Sequence, residues 1–171
     1  DGVADNFIGG SSGISFGTCS GDCNEIAFNG ADGIYLSEVS KISILANSIH
    51  DNRGLGINLN LATDNDSILA PSITTISATT SNHILEFTAN EMPSTSYQLQ
   101  VFASDACDSS GFGEGKTLVG SSIISTDASG TLSANMELFD LVEGQILTAT
   151  ISKDVPSNVH TSEFSNCLSI P

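Results

Sequence analysis

The sequence predicts an all-β chain in two parts, a short stack of β-coils over residues 1–66 and a two-sheet sandwich over residues 67–171. Three observations predict it. A thirteen-residue pattern recurs 23 residues later, seven alternating segments follow, and no segment reads as a convincing helix.

The repeat sets the first part. Asn24-Glu-Ile-Ala-Phe-Asn-Gly-Ala-Asp-Gly-Ile-Tyr-Leu36 aligns with Asn47-Ser-Ile-His-Asp-Asn-Arg-Gly-Leu-Gly-Ile-Asn-Leu59, with six of thirteen positions identical. Such a period, carrying short apolar strands with Asn and Gly, is a solenoid signal. Strand geometry turns every second residue inward. Ile26, Phe28, Ile34 and Leu36 are therefore expected to stack on Ile49, Ile57 and Leu59. The repeated Asn residues fall where strands bend into turns. Asn tolerates left-handed backbone, and its side chain can bond to the neighbouring coil. Val39, Ile42 and Ile44 supply a third face. Asn6, Ile8, Gly13, Ile14 and Phe16 form an earlier, less regular coil, with Cys19 to Cys23 as a loop extending from it.

The solenoid signal ends near Leu61, and the connector through Ser67 is polar. Strands are expected at Ile73–Thr79, His83–Ala89, Tyr97–Ser104, Thr117–Thr126, Thr131–Leu138, Gln145–Ser152 and Glu163–Ile170. Asn90-Glu-Met-Pro-Ser-Thr95 and Asp127-Ala-Ser-Gly130 supply turn chemistry. Seven strands separated by turn signals read as an immunoglobulin-like sandwich. Tyr97, Leu99 and Val101 alternate with Gln98 and Gln100, the pattern of a half-buried strand. Leu85, Phe87, Leu132, Ala134, Met136, Leu138, Leu147, Ala149 and Ile151 complete the expected core.

Composition narrows the function. Four Lys and Arg stand against 20 Asp and Glu, a net charge of −16. Phosphate binding needs a basic footprint, so nucleic acid is excluded as a partner. Anionic membranes are disfavoured for the same reason. No apolar run is long enough for a transmembrane helix, so no membrane insertion is expected. The chain starts at Asp1 without an initiator Met, which reads as a mature form or a fragment of something longer.

Four cysteines, Cys19, Cys23, Cys107 and Cys167, in an acidic β-protein favour disulfides and an oxidising, secreted or cell-surface location. They allow three connectivities. Cys19 and Cys23 flank a short turn and are placed to pair locally, with Cys107 and Cys167 then closing the second half. The rival is structural zinc, whose ligands usually come as two close pairs or with nearby His.

Certain residues resemble a known family. Ile8-Gly9-Gly10, Asn24-Glu-Ile26, Asn29-Gly30-Ala-Asp-Gly33-Ile34, Asn47-Ser-Ile49 and Gly54-Leu-Gly-Ile-Asn-Leu59 resemble the right-handed parallel β-helix of secreted bacterial CSLREA-type proteins. Tyr97 through Ser121, Thr126-Asp-Ala-Ser-Gly130, Thr148-Ala-Thr150 and Thr161-Ser-Glu-Phe-Ser-Asn-Cys167 resemble the sandwich domain that follows the helix there. The resemblance implies a short right-handed parallel β-helix segment ahead of an immunoglobulin-like sandwich, a Cys107–Cys167 pairing, and a surface or secreted protein. The connector is shorter than in that family, and Cys19 and Cys23 are not a usual feature of it.

Catalysis has few residues to use. A polysaccharide lyase needs a base and usually calcium to acidify the proton, and the only Lys and Arg are Lys41, Arg53, Lys116 and Lys153. Arg53 beside Asp51 is the best pair available, and it reads first as a surface ion pair. A hydrolase needs two carboxylates at a suitable separation, for which Asp32 and Asp51 on related coil faces are the candidates. No enzyme activity and no confident metal site are therefore expected. Asp64, Asn65 and Asp66 form an oxygen-rich connector, the candidate site for a structural calcium ion, the one cofactor considered. Asp105, Asp108, Phe112 and Glu114 lie in a Gly-rich loop, the candidate recognition loop, since loops often carry contacts.

The reading is a non-catalytic structural or adhesion module, in one version a subunit of an extracellular filament. Expected partners are other protein subunits or upstream β-helix coils. The alternative is a carbohydrate-active or carbohydrate-binding β-helix protein whose partners are extracellular glycans.

Overall fold

The computed structural model describes residues 6–153 and 159–171, and Asp1 lies outside them. The described chain is all-β, with thirteen strands and one short 3-10 turn at Asp64–Ser67. No helix among the described residues is long and apolar enough to cross a membrane.

Six short strands make three parallel pairs. β1 (Asn6–Gly9) pairs with β4 (Ile42–Leu45), β2 (Glu25–Ala27) with β5 (Ser48–His50), and β3 (Ile34–Leu36) with β6 (Ile57–Leu59). The register follows the repeat: Ile26 faces Ile49, Ile34 faces Ile57 and Leu36 faces Leu59. Ile34, Leu36, Ile42, Ile44, Ile49 and Ile57 are buried together between the turns. Phe28 departs from expectation. It lies outside β2 at φ 59° and is 76% exposed, so its ring does not join this core.

Asn side chains tie the turns together. Asn24 donates its N–H and its Nδ2 to Asn47 Oδ1, at 3.1 and 3.0 Å. Asn29 does the same to Asn52 Oδ1, at 3.1 and 2.8 Å. Asn47 and Asn52 in turn donate Nδ2 to the carbonyls of Ile8 and Ile26. Asn suits these positions because a carboxamide carries both an acceptor and donors, so it can bond to the turns on either side.

The second half is two antiparallel sheets. One has the order β10–β9–β12–β13, with β9 at Ser96–Ser104, β10 at Thr117–Ser125, β12 at Ile146–Lys153 and β13 at Leu168–Ser169. The other has the order β11–β8–β7, with β7 at Ser72–Ala78, β8 at His83–Asn90 and β11 at Thr131–Leu138. Leu85, Phe87, Tyr97, Leu99, Val101, Leu132, Leu138, Leu147 and Ile151 meet between them. Each is essentially removed from water, which stabilises by about 1.5–3 kcal/mol for a large apolar side chain.

Two further expectations need correction. The last strand is only Leu168–Ser169, not Glu163–Ile170. Residues 161–166 instead follow β12 through serine side chains. Ser162 and Ser165 donate N–H to the carbonyls of Ile151 and Ala149, and their Oγ atoms accept from the N–H groups of those same residues. A hydroxyl beside the backbone offers an acceptor without strand geometry.

The other correction concerns the polar face of β9. Gln100 is 2% exposed, and Thr148, Thr150 and Ser152 beside it on β12 are buried as well. The coils lie against that face. Phe102, Leu118 and Phe164 join the coil isoleucines in one apolar cluster, and the Phe102 and Phe164 rings meet edge to face at 5.5 Å. The sheet holding β9 is therefore a middle layer, covered by the parallel strand pairs on one side and by the second sheet on the other.

Candidate functional site

The packing of coils on sheet brings two distant segments together. The bend after β5, His50 to Arg53, faces the loop from Ser104 to Lys116, and between them lies a cleft of about 340 Å³. His50, Asp51, Asn52, Arg53, Asp105, Asp108, Glu114 and Lys116 are among its lining.

The loop is rigidly mounted. The Cys107–Cys167 disulfide joins it to the segment before β13, with Cα atoms 6.0 Å apart. Lys116 Nζ reaches Asp105 Oδ2 at 2.6 Å. That contact and its charge hold the Asp105 carboxyl below its ordinary range and raise the Lys116 ammonium. Ile49 and Gly115 exchange N–H···O bonds at 2.8 Å each way. A Cβ on Gly115 would stand 2.6 Å from Phe164 Cε1 and 2.7 Å from Phe102 Cγ, so only glycine lets the loop approach this closely.

Glu114 sits at the floor, 9% exposed. Asn52 donates Nδ2 to Glu114 Oε1 at 2.8 Å and its N–H to both carboxylate oxygens, at 3.2 and 3.3 Å. Burial pushes the Glu114 carboxyl up, the Asn52 bonds pull it partly back, and the charges of Asp108 and Asp51 add to the rise. On the opposite wall His50 Nδ1 lies 2.7 Å from Asp51 Oδ2, and Nε2 lies 3.4 Å from Glu25 Oε1. The Phe28 ring meets His50 edge to face at 5.9 Å.

A raised folded pKa means that ionised Glu114 subtracts from stability. Folded protein binds more protons than unfolded protein between the ordinary Glu value and the folded one, so this contribution falls as pH rises through that interval. Glu114→Gln keeps an acceptor for Asn52 and removes the charge. It is expected to leave neutral-pH stability unchanged or to raise it by about 1 kcal/mol. Its stability relative to wild type is expected to rise as pH increases through that interval, read by chemical denaturation at several pH values.

Of the expected recognition loop, Asp105, Asp108 and Glu114 reach the cleft. Phe112 does not; it stands at the loop tip, 53% exposed, and bridges to Asn166. Arg53 and Asp51 share the cleft, but Asp51 is held by His50. Asp32 is engaged elsewhere, accepting from Leu55 N–H at 2.7 Å and Asn58 Nδ2 at 2.8 Å. Sequence reasoning missed His50, Asn52 and Lys116. Asn52 was visible as a repeat position, but nothing local to His50 or Lys116 pointed here.

The expected cation trio lies away from the cleft. Asp64 Oδ1 and Oδ2 accept from the N–H groups of Val39 and Leu61. Asn65, fully buried, accepts from Ile42 N–H at 2.7 Å and donates to the carbonyls of Ile42 and Thr161 at 2.8 Å. Asp66 Oδ2 lies 3.3 Å from His160 Nδ1. Among the described residues no group of three or more His, Cys, Asp or Glu is arranged to hold a metal ion. The other cysteines, Cys19 and Cys23, are joined to each other, with Cα atoms 5.3 Å apart. Two disulfides point to an oxidising setting.

No known family model matches this chain, and no curated protein does either.

Proposed function

We propose that the chain forms the last coils of a right-handed parallel β-helix, closed by an immunoglobulin-like sandwich, in a secreted or cell-surface protein. Its role in this reading is structural and adhesive, without catalysis. One observation carries the reading: sandwich side chains stand where the acceptors of a further coil would stand. Asn24 and Asn29 give paired donors to the Asn of the next turn. Asn52 gives the same pair to Glu114. Along the same edge, Ala46 N–H donates to Gln100 Oε1, Ile44 N–H to Thr161 Oγ1 and Leu59 N–H to Glu163 Oε1.

A solenoid ended in this way has one open end. Among the described residues β1, β2 and β3 each pair on one side only. Head-to-tail stacking needs two free faces, so the closed edge favours a terminal cap over a filament subunit. Light scattering across a wide concentration range at physiological salt tests this. Wild type is expected to keep one mass, whereas Gln100→Ala/Glu163→Ala, which uncovers the edge, is expected to gain mass with concentration. A wild-type mass that climbs with concentration would overturn the cap. Release of reducing ends from any polysaccharide would overturn the non-catalytic part.

The cleft supports a second reading, carbohydrate binding. It is open, polar and rimmed by both signs of charge, and an exposed ring stands beside it.

A further inference from the structure

We infer that the cleft between the His50–Arg53 bend and the Ser104–Lys116 loop is a binding site for an uncharged saccharide, with Phe28 as its stacking platform. This deepens the carbohydrate-binding reading by naming the ligand class, and it rests on that reading.

Two features stand out, one beside the cleft and one in its lining. The first is Phe28. It occupies the left-handed region at φ 59°, a conformation that costs a non-glycine residue about 1–2 kcal/mol. One turn on, the equivalent position is Asp51, also left-handed at φ 54° and of a residue type that tolerates it better. A large ring here gains little from burial, since it is 76% exposed. What it does have is a place against His50 on the cleft wall. Strain kept at an exposed position is a mark of function.

The second feature is the charge on Glu114. The cap on Asn52 needs an acceptor, which the carboxamide of Asn47 or Asn52 supplies elsewhere in the ladder without charge. Glu114 does the same work as a carboxylate that burial disfavours, and it lines the cleft. A glutamine would serve the cap alone.

The remaining chemistry selects the ligand. The face of an aromatic ring is electron-rich, and the C–H face of a pyranose presents weakly positive hydrogens to it. Sugar hydroxyls both donate and accept. They match a lining that holds the carboxylates of Asp51, Asp105 and Asp108 together with Arg53 and Lys116. The cleft volume lies within the range of small-ligand sites. The net charge of −16 and the rim carboxylates repel uronates and sulfated sugars.

The test is titration calorimetry with neutral trisaccharides (cello-, manno-, xylo-, laminari- and N-acetylchitotriose) and trigalacturonate as the anionic control. Amide chemical shifts locate the site. At least one neutral sugar is expected to bind with Kd below about 1 mM, with shifts at residues 50–53 and 104–116. Trigalacturonate is expected not to bind. Phe28→Asn, which suits the left-handed position, is expected to keep the protein folded and weaken binding at least tenfold. Absence of binding by every neutral sugar, equal binding of trigalacturonate, or unchanged affinity in Phe28→Asn would each overturn the site. None of these results bears on the cap, which is read by mass.

Discussion

A Cys107→Ser/Cys167→Ser variant is expected to lose about 4 kcal/mol of unfolding free energy, the chain-entropy value for a loop of this length. The two cysteines are 60 residues apart in sequence, so the bond removes a large loop from the unfolded ensemble. It also mounts the cleft loop against residues 161–166, which bind the coils on one side and β12 on the other. Removing Cys19–Cys23, which spans a separation of 4, closes far less chain and is expected to cost about half as much. Denaturant unfolding of the two double-serine variants measures both. Equal losses, or a smaller loss at Cys107–Cys167, would show that the long loop does not dominate.

Replacement of Asn65 by Ala is expected to cost about 3–4 kcal/mol, from the penalty of leaving buried backbone groups unpaired. Its side chain satisfies Ile42 N–H, Ile42 C=O and Thr161 C=O, and none of these is reached by water with Asn65 at 0% exposure. The φ of 49° adds to the loss, because alanine tolerates that region poorly. Asp66→Asn, at an exposed neighbour whose φ of 60° asparagine tolerates, is expected to stay within about 0.5 kcal/mol. Thermal unfolding with and without calcium checks the pair. If the trio were a calcium site, Asn65→Ala would cost little in calcium-free buffer and the wild-type midpoint would rise with added calcium.

The local rules were legible in the residues. The spacing of Asn24 and Asn47 predicts their register and the bonding of their side chains across turns. Period-2 alternation places six strands nearly to the residue, because each has one apolar and one polar face. The same alternation misreads Gln100, Thr148 and Thr150. A polar residue on a strand looks alike whether it faces water or faces another layer that supplies its hydrogen bonds. Residues 161–166 mislead for a related reason, since Ser162 and Ser165 imitate a strand's bonding with hydroxyls.

The cleft was half legible. Asp105, Asp108 and Glu114 stand out as acids in a Gly-rich loop, and Arg53 beside Asp51 as scarce chemistry. That they share one cleft depends on a contact between Asn52 and Glu114, 62 residues apart, for which no local pattern exists. Phe28 was assigned to the core because it lies two residues from Ile26. The bend that turns it outward is a backbone property of one residue, and periodicity does not register it.

The side chains that close the coil edge also impose an order on folding. Ile44 waits for Thr161, 117 residues later, and Leu59 waits for Glu163, 104 residues later. On a ribosome residues 44 and 59 emerge long before residues 161 and 163, so these edge amides stay open to water, or to a neighbouring nascent chain, until that later segment is made. Non-local pairings of this kind are slow to form. The segment of residues 161–166 is therefore the fastening step, and the amides of Ile44 and Leu59 are protected only when it arrives.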